Sequence, residues 1–404
     1  MKRIIIILLI FNCQFSIVNC FAQKFEFAGY LKDMPSFYAF ENELPISATE
    51  TMKYTWYNLA HNRLNFKYIP VNSDKHKLNF NLSLRNRFLY GDLTKKIPQY
   101  GDVLGTDNGL ADLSWTYLNK NGFVLNTALD RLYIDYSYKN FQLKIGRQRV
   151  NWGIGLVWNP NDIFNAFSYI DFDYEERPGS DAVTFTWYSS PTSSLDVVAK
   201  MDKNPLDSTC KYSVAARYLF NINNYDLQVI TGKSDNDLMA GFGWSGGIKN
   251  VSFRGEISTF VPVLERNINK QTALCATVEA DYTFSNSLYL HGAFLFNSSG
   301  KAENSEAMNL LALQNDLSAK KLSFGMFELF ANITYPISPI VSVSFATMFN
   351  PADLSAYISP NFSISLQDNL DLLIGSQLLL GKSNTEYASM GNTYAAFTRL
   401  KWNF

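Results

Sequence analysis

Residues 131–181 read RLYIDYSYKNFQLKIGRQRVNWGIGLVWNPNDIFNAFSYIDFDYEERPGSD. Leu132, Ile134, Tyr136 and Tyr138 fall on one parity, and Arg131, Asp135 and Ser137 on the other. Lys139-Asn140 turns the chain, after which Phe141, Leu143 and Ile145 resume the apolar parity. Side chains of an extended chain alternate between two faces, so this segment spells a long β-hairpin with one apolar face. After Gly146 the alternation fails. Arg147 and Arg149 fall on the parity that had been apolar, and an aromatic, acidic run continues until a new strand starts near Val183. The failure implies either a bulge at Gly146 or a strand end above the apolar band.

The same period of two recurs along the chain. Upstream, Phe25, Phe27, Gly29 and Leu31 suggest a first strand, and the alternation then fades between Lys32 and Tyr57, as in a loop or a short excursion. It is clean in Leu64/Phe66/Tyr68 and in Leu78/Phe80/Leu82/Leu84. Tyr90 to Leu118 is polar and Gly-rich and reads as a long loop. Downstream, Phe185/Trp187, Val214/Ala216/Tyr218, Val278/Ala280/Tyr282, Ile333/Tyr335 and Leu370/Leu372/Ile374 are among the further segments. Tight connections (Asn221 to Asn224, Ser285 to Ser287, Pro336 to Pro339) alternate with longer ones such as Asn297 to Lys321, where Glu303 to Leu317 has some helical spacing. About 16–18 strands with short turns at one end and long loops at the other predict an all-β fold, a closed antiparallel transmembrane β-barrel. A barrel satisfies its own backbone hydrogen bonds and so spans lipid without helices.

The ends and the composition agree. Met1-Lys2-Arg3 precedes the apolar run Ile4 to Phe11, and Cys20-Phe21-Ala22 supplies small residues at the cleavage positions, so residues 1–22 read as a signal peptide. A lipoprotein cut before Cys20 is the alternative, with Asn19 a poor residue in front of it. Residues 23–404 form a single barrel domain on this reading. Hydrophobic residues make up 47% of the chain and aromatics 15%, yet mean hydropathy is only −0.10. Apolar residues are thus abundant but interleaved, and no run after residue 22 reaches the roughly 18 apolar residues of a membrane helix. A net charge of −1 argues against a nucleic-acid partner. Cys210 and Cys275 remain after the signal; a disulfide is permitted there, but nothing demands one.

The final segment carries the strongest resemblance. Tyr394, Ala396, Thr398, Leu400, Trp402 and Phe404 share one face, and the sequence stops on Phe404. This resembles the C-terminal strand signal of Gram-negative outer-membrane proteins, which implies recognition of Trp402 and Phe404 by the barrel-insertion machinery and a location in outer-membrane lipid. Further, GRQRVNWG after a hairpin, then NPND and RPGSD, is similar to the GRQ-containing strand and following loop of large porin-like barrels, including the alginate-export group. That resemblance implies passage of small polar solutes or saccharides.

If the apolar face meets lipid, the opposite parity lines a lumen. His61, Arg63, Lys67, Arg85 and Arg87 then stand together on two early strands, and Arg131, Arg217 and Arg254 add positive charge. Glu256, Glu279, Asp281 and Glu328 come later. Separated basic and acidic walls would set a transverse field across a wet pore. The alternative is that these residues pair across strands and plug a narrow interior. Phe167 and Tyr169 are candidates to seat the loop after Trp152 on the inner wall, with Asp171, Asp173, Glu175 and Glu176 facing the lumen as a constriction; an ordinary solvated loop is the rival reading.

Catalysis finds little support. Only His61, His76 and His291 are available, none beside a nucleophile elbow, and metal clusters, phosphate loops and nucleotide fingerprints are absent from the sequence, so no cofactor is expected. A non-conducting barrel that serves as an adhesin or as the scaffold of an export or assembly complex is a third reading.

Overall fold

Period-two alternation becomes nineteen strands among the described residues of the computed structural model, which are 24–46, 50–97, 99–167, 169–170, 179–203, 209–263, 271–301, 318–389 and 391–404. β1 (Phe25–Pro45), β2 (Thr51–Asn72), β3 (His76–Gly91), β4 (Ser114–Lys120), β5 (Phe123–Tyr138), β6 (Phe141–Gln148), β7 (Ser180–Ser190), β8 (Ser193–Lys203), β9 (Cys210–Ile222) and β10 (Tyr225–Ser234) come first. β11 (Asp237–Ile248), β12 (Val251–Pro262), β13 (Ala273–Thr283), β14 (Tyr289–Asn297), β15 (Phe327–Ser338), β16 (Val341–Asn350), β17 (Ser355–Gln367), β18 (Leu370–Leu380) and β19 (Thr393–Asn403) follow. Eighteen of them close into one antiparallel ring, in which β3 pairs with β5 and β19 returns to β1. Closure removes the free edges an open sheet would leave. The expected signal peptide and the helical spacing of Glu303 to Leu317 lie outside the described residues.

The outer face is the apolar one. Phe27, Leu31 and Phe37 of β1, Val183, Phe185 and Trp187 of β7, and Leu400 and Trp402 of β19 are all exposed, while their neighbours in sequence point inward. Aromatic rings gather in two belts. Phe27 lies 5.6 Å from Phe404 near the short-turn end, and Phe37 stacks on Tyr54 at 6.2 Å near the other. Ten residues separate Phe27 from Phe37. That is about 33 Å along a strand, or about 25 Å across at a tilt of about 40°, the height of a barrel's lipid band. The tight turn at Asn223-Asn224 has φ of 51° and 65°, the pair of left-handed conformations that a two-residue hairpin of right-twisted strands requires and that asparagine tolerates.

Two stretches differ from expectation. β1 and β2 continue through most of Lys32 to Tyr57, because aromatic residues stand on both faces there (Tyr38 on Tyr57 inside, Phe37 on Tyr54 outside) and blur the alternation. Tyr90 to Leu118, expected as a loop, contains two short helices, α1 (Asp92–Lys96) and α2 (Gln99–Gly105), and most of β4. β6 ends at Gln148, and above it β4 takes the edge of β5 at Phe123–Ala128, while Gly109 bridges to Asp202 of β8. The insert therefore completes the wall.

Arg147 locks this seam. Its guanidinium donates to Asp181 at 2.7 and 2.8 Å, to Asp107 at 2.5 Å and to the Ala111 carbonyl at 2.7 Å. It is 6% exposed. The odd parity of Arg147 thus reflects a strand end covered by the insert. The β5–β6 register runs through Gly146 without a shift, so no bulge lies there. Gly146 has φ of 119°, and a Cβ on it would stand 2.3 Å from the Leu132 carbonyl oxygen.

Candidate functional site

Parity puts Lys32, His61, Arg63, Lys67, Arg85, Arg87 and Arg131 on the inner side of β1, β2, β3 and β5, joined by Lys144 of β6 and by Arg399 and Lys401 of β19. Acidic residues are few on this side. Asp130 accepts from Arg63 at 2.8 Å and from Arg85 at 3.0 Å, and Glu26 pairs with Lys67 at 3.0 Å. Asp130 reaches the inside because the β3–β5 register shifts beside it, so that Asp130 and Arg131 are both turned inward and buried. Arg87 donates to Asn126 at 2.7 Å and to the Leu104 carbonyl of α2 at 2.6 Å. His61 lies 3.3 Å from the Tyr30 hydroxyl among these cations. A cavity of about 330 Å³ opens on the wall, lined by Arg63, Lys67, Arg131, Lys144 and Arg149, with Glu26 the one acidic residue among its lining.

The opposite side of the interior carries the chain between β6 and β7. Val150, Trp152 and Phe164 pack on inward residues from Ala182 of β7 to Phe260 of β12. Val157 and Trp158 continue the contact with Cys275, Leu295 and Phe330 of β13 to β15. Tyr169 meets Phe330 edge-on at 4.8 Å, and Gln377 of β18 donates to the Ile170 carbonyl at 3.2 Å. Burial pushes the Tyr169 phenol up to about 12. This crossing segment therefore lies on the inner wall from β7 to β18. Phe167 and Tyr169 are described there; Asp171, Asp173, Glu175 and Glu176 lie outside the described residues.

Two carboxylates seat the segment. Its backbone N–H groups have no ladder of their own and need acceptors where they are buried. Glu256 accepts from Ile154, from Gly155 at 2.9 Å and from Asn161 at 2.8 Å. Glu279 accepts from Leu156 at 2.8 Å and from Val157 at 3.2 Å, with His291 3.3 Å away. Asn161 is also held by Ser258 at 2.6 Å and by donation to the Phe242 carbonyl at 3.1 Å. It gets that close because Gly241 and Gly243 face it; a Cβ on either would stand under 3.0 Å from its amide.

The other candidates fall into place around this seat. Glu256 and Glu279 face inward but are 0% and 1% exposed, so they hold backbone and do not present an acidic wall. Glu328, also fully buried, accepts from the Tyr387 hydroxyl at 2.9 Å, and Ser323 donates to Glu386 at 2.7 Å beside it. Burial and these carboxylates hold the Tyr387 phenol well above its ordinary range. Asp281 pairs with Arg254, and Arg217 with Asp196 at 2.6 Å. Cross-strand pairing thus describes the later strands, while the early strands keep their basic excess. Lys144 was legible from the parity of the opening hairpin. Asp130 was not, since a bulge placed it. Cys210 and Cys275 are both free thiols.

No protein-family model matches the chain, and no curated protein matches it. Solved outer-membrane porins do share its fold. OccK5 (OpdH) of Pseudomonas aeruginosa superposes with a TM-score of 0.59 at 7% identity, over 94% of this chain and 98% of that one. OccD3 (OpdP) of the same organism gives 0.57 at 9% identity, over 94% and 91%. OccAB4 of Acinetobacter baumannii gives 0.56 at 9% identity, over 94% and 98%. At these identities the likeness is one of fold: a porin-like outer-membrane barrel.

Proposed function

We propose that the chain is an outer-membrane porin-like channel, a passive path for small polar solutes with anionic ones favoured. The observation that carries this is the basic inner wall of β1 to β6, whose cavity is lined by five cations against one carboxylate. Fixed charges on a low-dielectric wall concentrate counter-ions and set the sign of the permeant species. The crossing segment narrows the interior on the other side, and its acidic stretch, residues 171–176, is the proposed partner of that wall in a constriction. Sugars remain within the solute class, through the aromatic residues of the crossing segment.

Planar-bilayer recording of the purified protein tests the reading. Wild type is expected to give stable steps with reversal potentials on the anion side. Arg131→Ala/Arg149→Ala is expected to lower the anion-to-cation permeability ratio by roughly threefold. Absence of steps would instead favour the non-conducting barrel.

Phe404 is proposed as the insertion signal together with Trp402. The backbone of Phe404 exchanges two hydrogen bonds with Gly29, at 2.8 and 2.9 Å, and closes the ring next to Phe27. Deleting Phe404 is expected to remove most of the protein from the outer-membrane fraction of expressing cells, while refolding of the same variant in detergent micelles survives. Equal losses in both assays would reduce Phe404 to a structural residue.

A further inference from the structure

Two buried carboxyls meet at the loop end of β15 with no cation between them. Glu328 is 0% exposed and Glu386 3%. A Cβ on Gly325 would stand 2.8 Å from Glu328 Oε1 and 2.9 Å from Glu386 Oε2, so both groups close on the same stretch of backbone. Among the described residues, no Lys, Arg or His side chain pairs with either. Glu386 accepts from the N–H groups of Phe324 and Gly325 at 3.0 Å each, from Asn350 Nδ2 at 2.8 Å and from Ser323 Oγ at 2.7 Å. Glu328 accepts from the Tyr387 hydroxyl through Oε2, and its Oε1 lies 3.2 Å from Ser323 Oγ. The Gly325 N–H is shared with that same Oγ at 3.0 Å.

Ser323 owns one hydroxyl proton, and the shorter contact gives it to Glu386. Glu328 Oε1 then faces an oxygen with no proton between them, unless it brings its own. Two ionised carboxylates buried side by side without a cation are strongly disfavoured, so one of the pair holds a proton. We propose that Glu328 is a neutral carboxylic acid donating to Ser323 Oγ, and that its proton closes a pH-sensitive clasp between residues 318–326 and 381–389. Tyr387 donates to Glu328, Glu328 to Ser323 and Ser323 to an ionised Glu386, whose four donors satisfy its charge. The turn after β16 is tied in as well, since Asp353 accepts from the Glu386 N–H at 2.8 Å. Leu322 and Tyr387 share an apolar cluster with Val157 and Trp158, so the clasp braces the crossing segment. The charges around it are Asp353 and the lysines that flank the 318–326 stretch. Lys301 bonds Phe324 and Met326 through its backbone, and the Lys321 ammonium lies 4.5 Å from the centre of the Phe324 ring. Tyr357 of β17 turns its hydroxyl to Gln377. A carboxyl that is protonated in this seat and ionised when free takes up a proton as the clasp closes. The clasp is therefore firm at lower pH and opens as pH rises through the ionisation of Glu328.

The test needs no conductance, so it stands or falls apart from the channel reading. Infrared difference spectra at neutral pH are expected to show the carbonyl band of a protonated carboxylic acid in wild type and its loss in Glu328→Gln. Amide hydrogen exchange of the full chain in micelles, followed by mass spectrometry over residues 318–326, reads the clasp itself. Wild type and Glu328→Gln, whose amide supplies the same donor at every pH, are expected to exchange alike at acidic and neutral pH. Above the ionisation, wild type is expected to exchange faster than Glu328→Gln at the same pH, by about tenfold for each further pH unit. Glu386→Gln removes the ionised acceptor and is expected to loosen the stretch at every pH. No carbonyl band assignable to Glu328, equal exchange of wild type and Glu328→Gln up to alkaline pH, or a Glu386→Gln variant as tight as wild type would each overturn the assignment.

Discussion

Glu256→Ala/Glu279→Ala is expected to raise single-channel conductance several-fold while the barrel stays closed. The two carboxylates accept from five backbone N–H groups between Ile154 and Asn161, and both are fully buried. A hydrogen bond to a charged acceptor contributes about 1.5–3 kcal/mol, and an orphaned buried donor costs about 1–3 kcal/mol. Leaving five donors without acceptors therefore costs on the order of 5 kcal/mol or more, enough to favour a segment that swings off the wall and hydrates. The ring itself loses nothing, since β12 and β13 keep their ladders with their neighbours. A larger free cross-section and a normal gel shift on heating are the joint signature. Glu328→Gln, which leaves this segment untouched, is the control. Unchanged conductance in the double variant would show that the segment does not narrow the path.

Arg147→Ala is expected to destabilise the barrel by about 3–5 kcal/mol, the usual result of stripping one partner from a buried ion pair. Asp107 and Asp181 would keep their charges at the seam with no cation between them. Arg147→Lys is expected to recover little, because one ammonium cannot span two carboxylates and a carbonyl as the planar fork does. Urea unfolding of micelle-refolded protein, followed by tryptophan fluorescence, measures the loss. Limited proteolysis should show new cleavage within 106–113, where the insert loses its hold on β7. A midpoint within about 0.5 kcal/mol of wild type would mean the insert is seated by β4 alone.

How much was legible differs between the two faces. The outer face could be read because lipid accepts one class of side chain, so Val183/Phe185/Trp187 or Leu400/Trp402/Phe404 announce strands unaided. The inner face serves three ends with the same residue types. Arg131 lines a cavity, Arg217 neutralises Asp196, and Glu256 holds a main chain 102 residues earlier in sequence. Parity gives each of them the same address, and only the path of the crossing segment tells them apart. Parity also cannot see a bulge, so the inward turn of Asp130 beside Arg131 is not legible in the sequence. β4 was hidden for another reason: seven residues beside two short helices and a Gly-rich run leave too few alternations to count.

The seat of the crossing segment has a practical side. What Glu256 and Glu279 grip is main-chain N–H, which every residue except proline owns. The identity of a side chain such as Leu156, 47% exposed, is therefore decoupled from the bond that holds its backbone in place. On the channel reading proposed above, such a segment makes the rim exchangeable. Its aperture can be refitted, by drift or by design, one side chain at a time without unfastening the part that carries it.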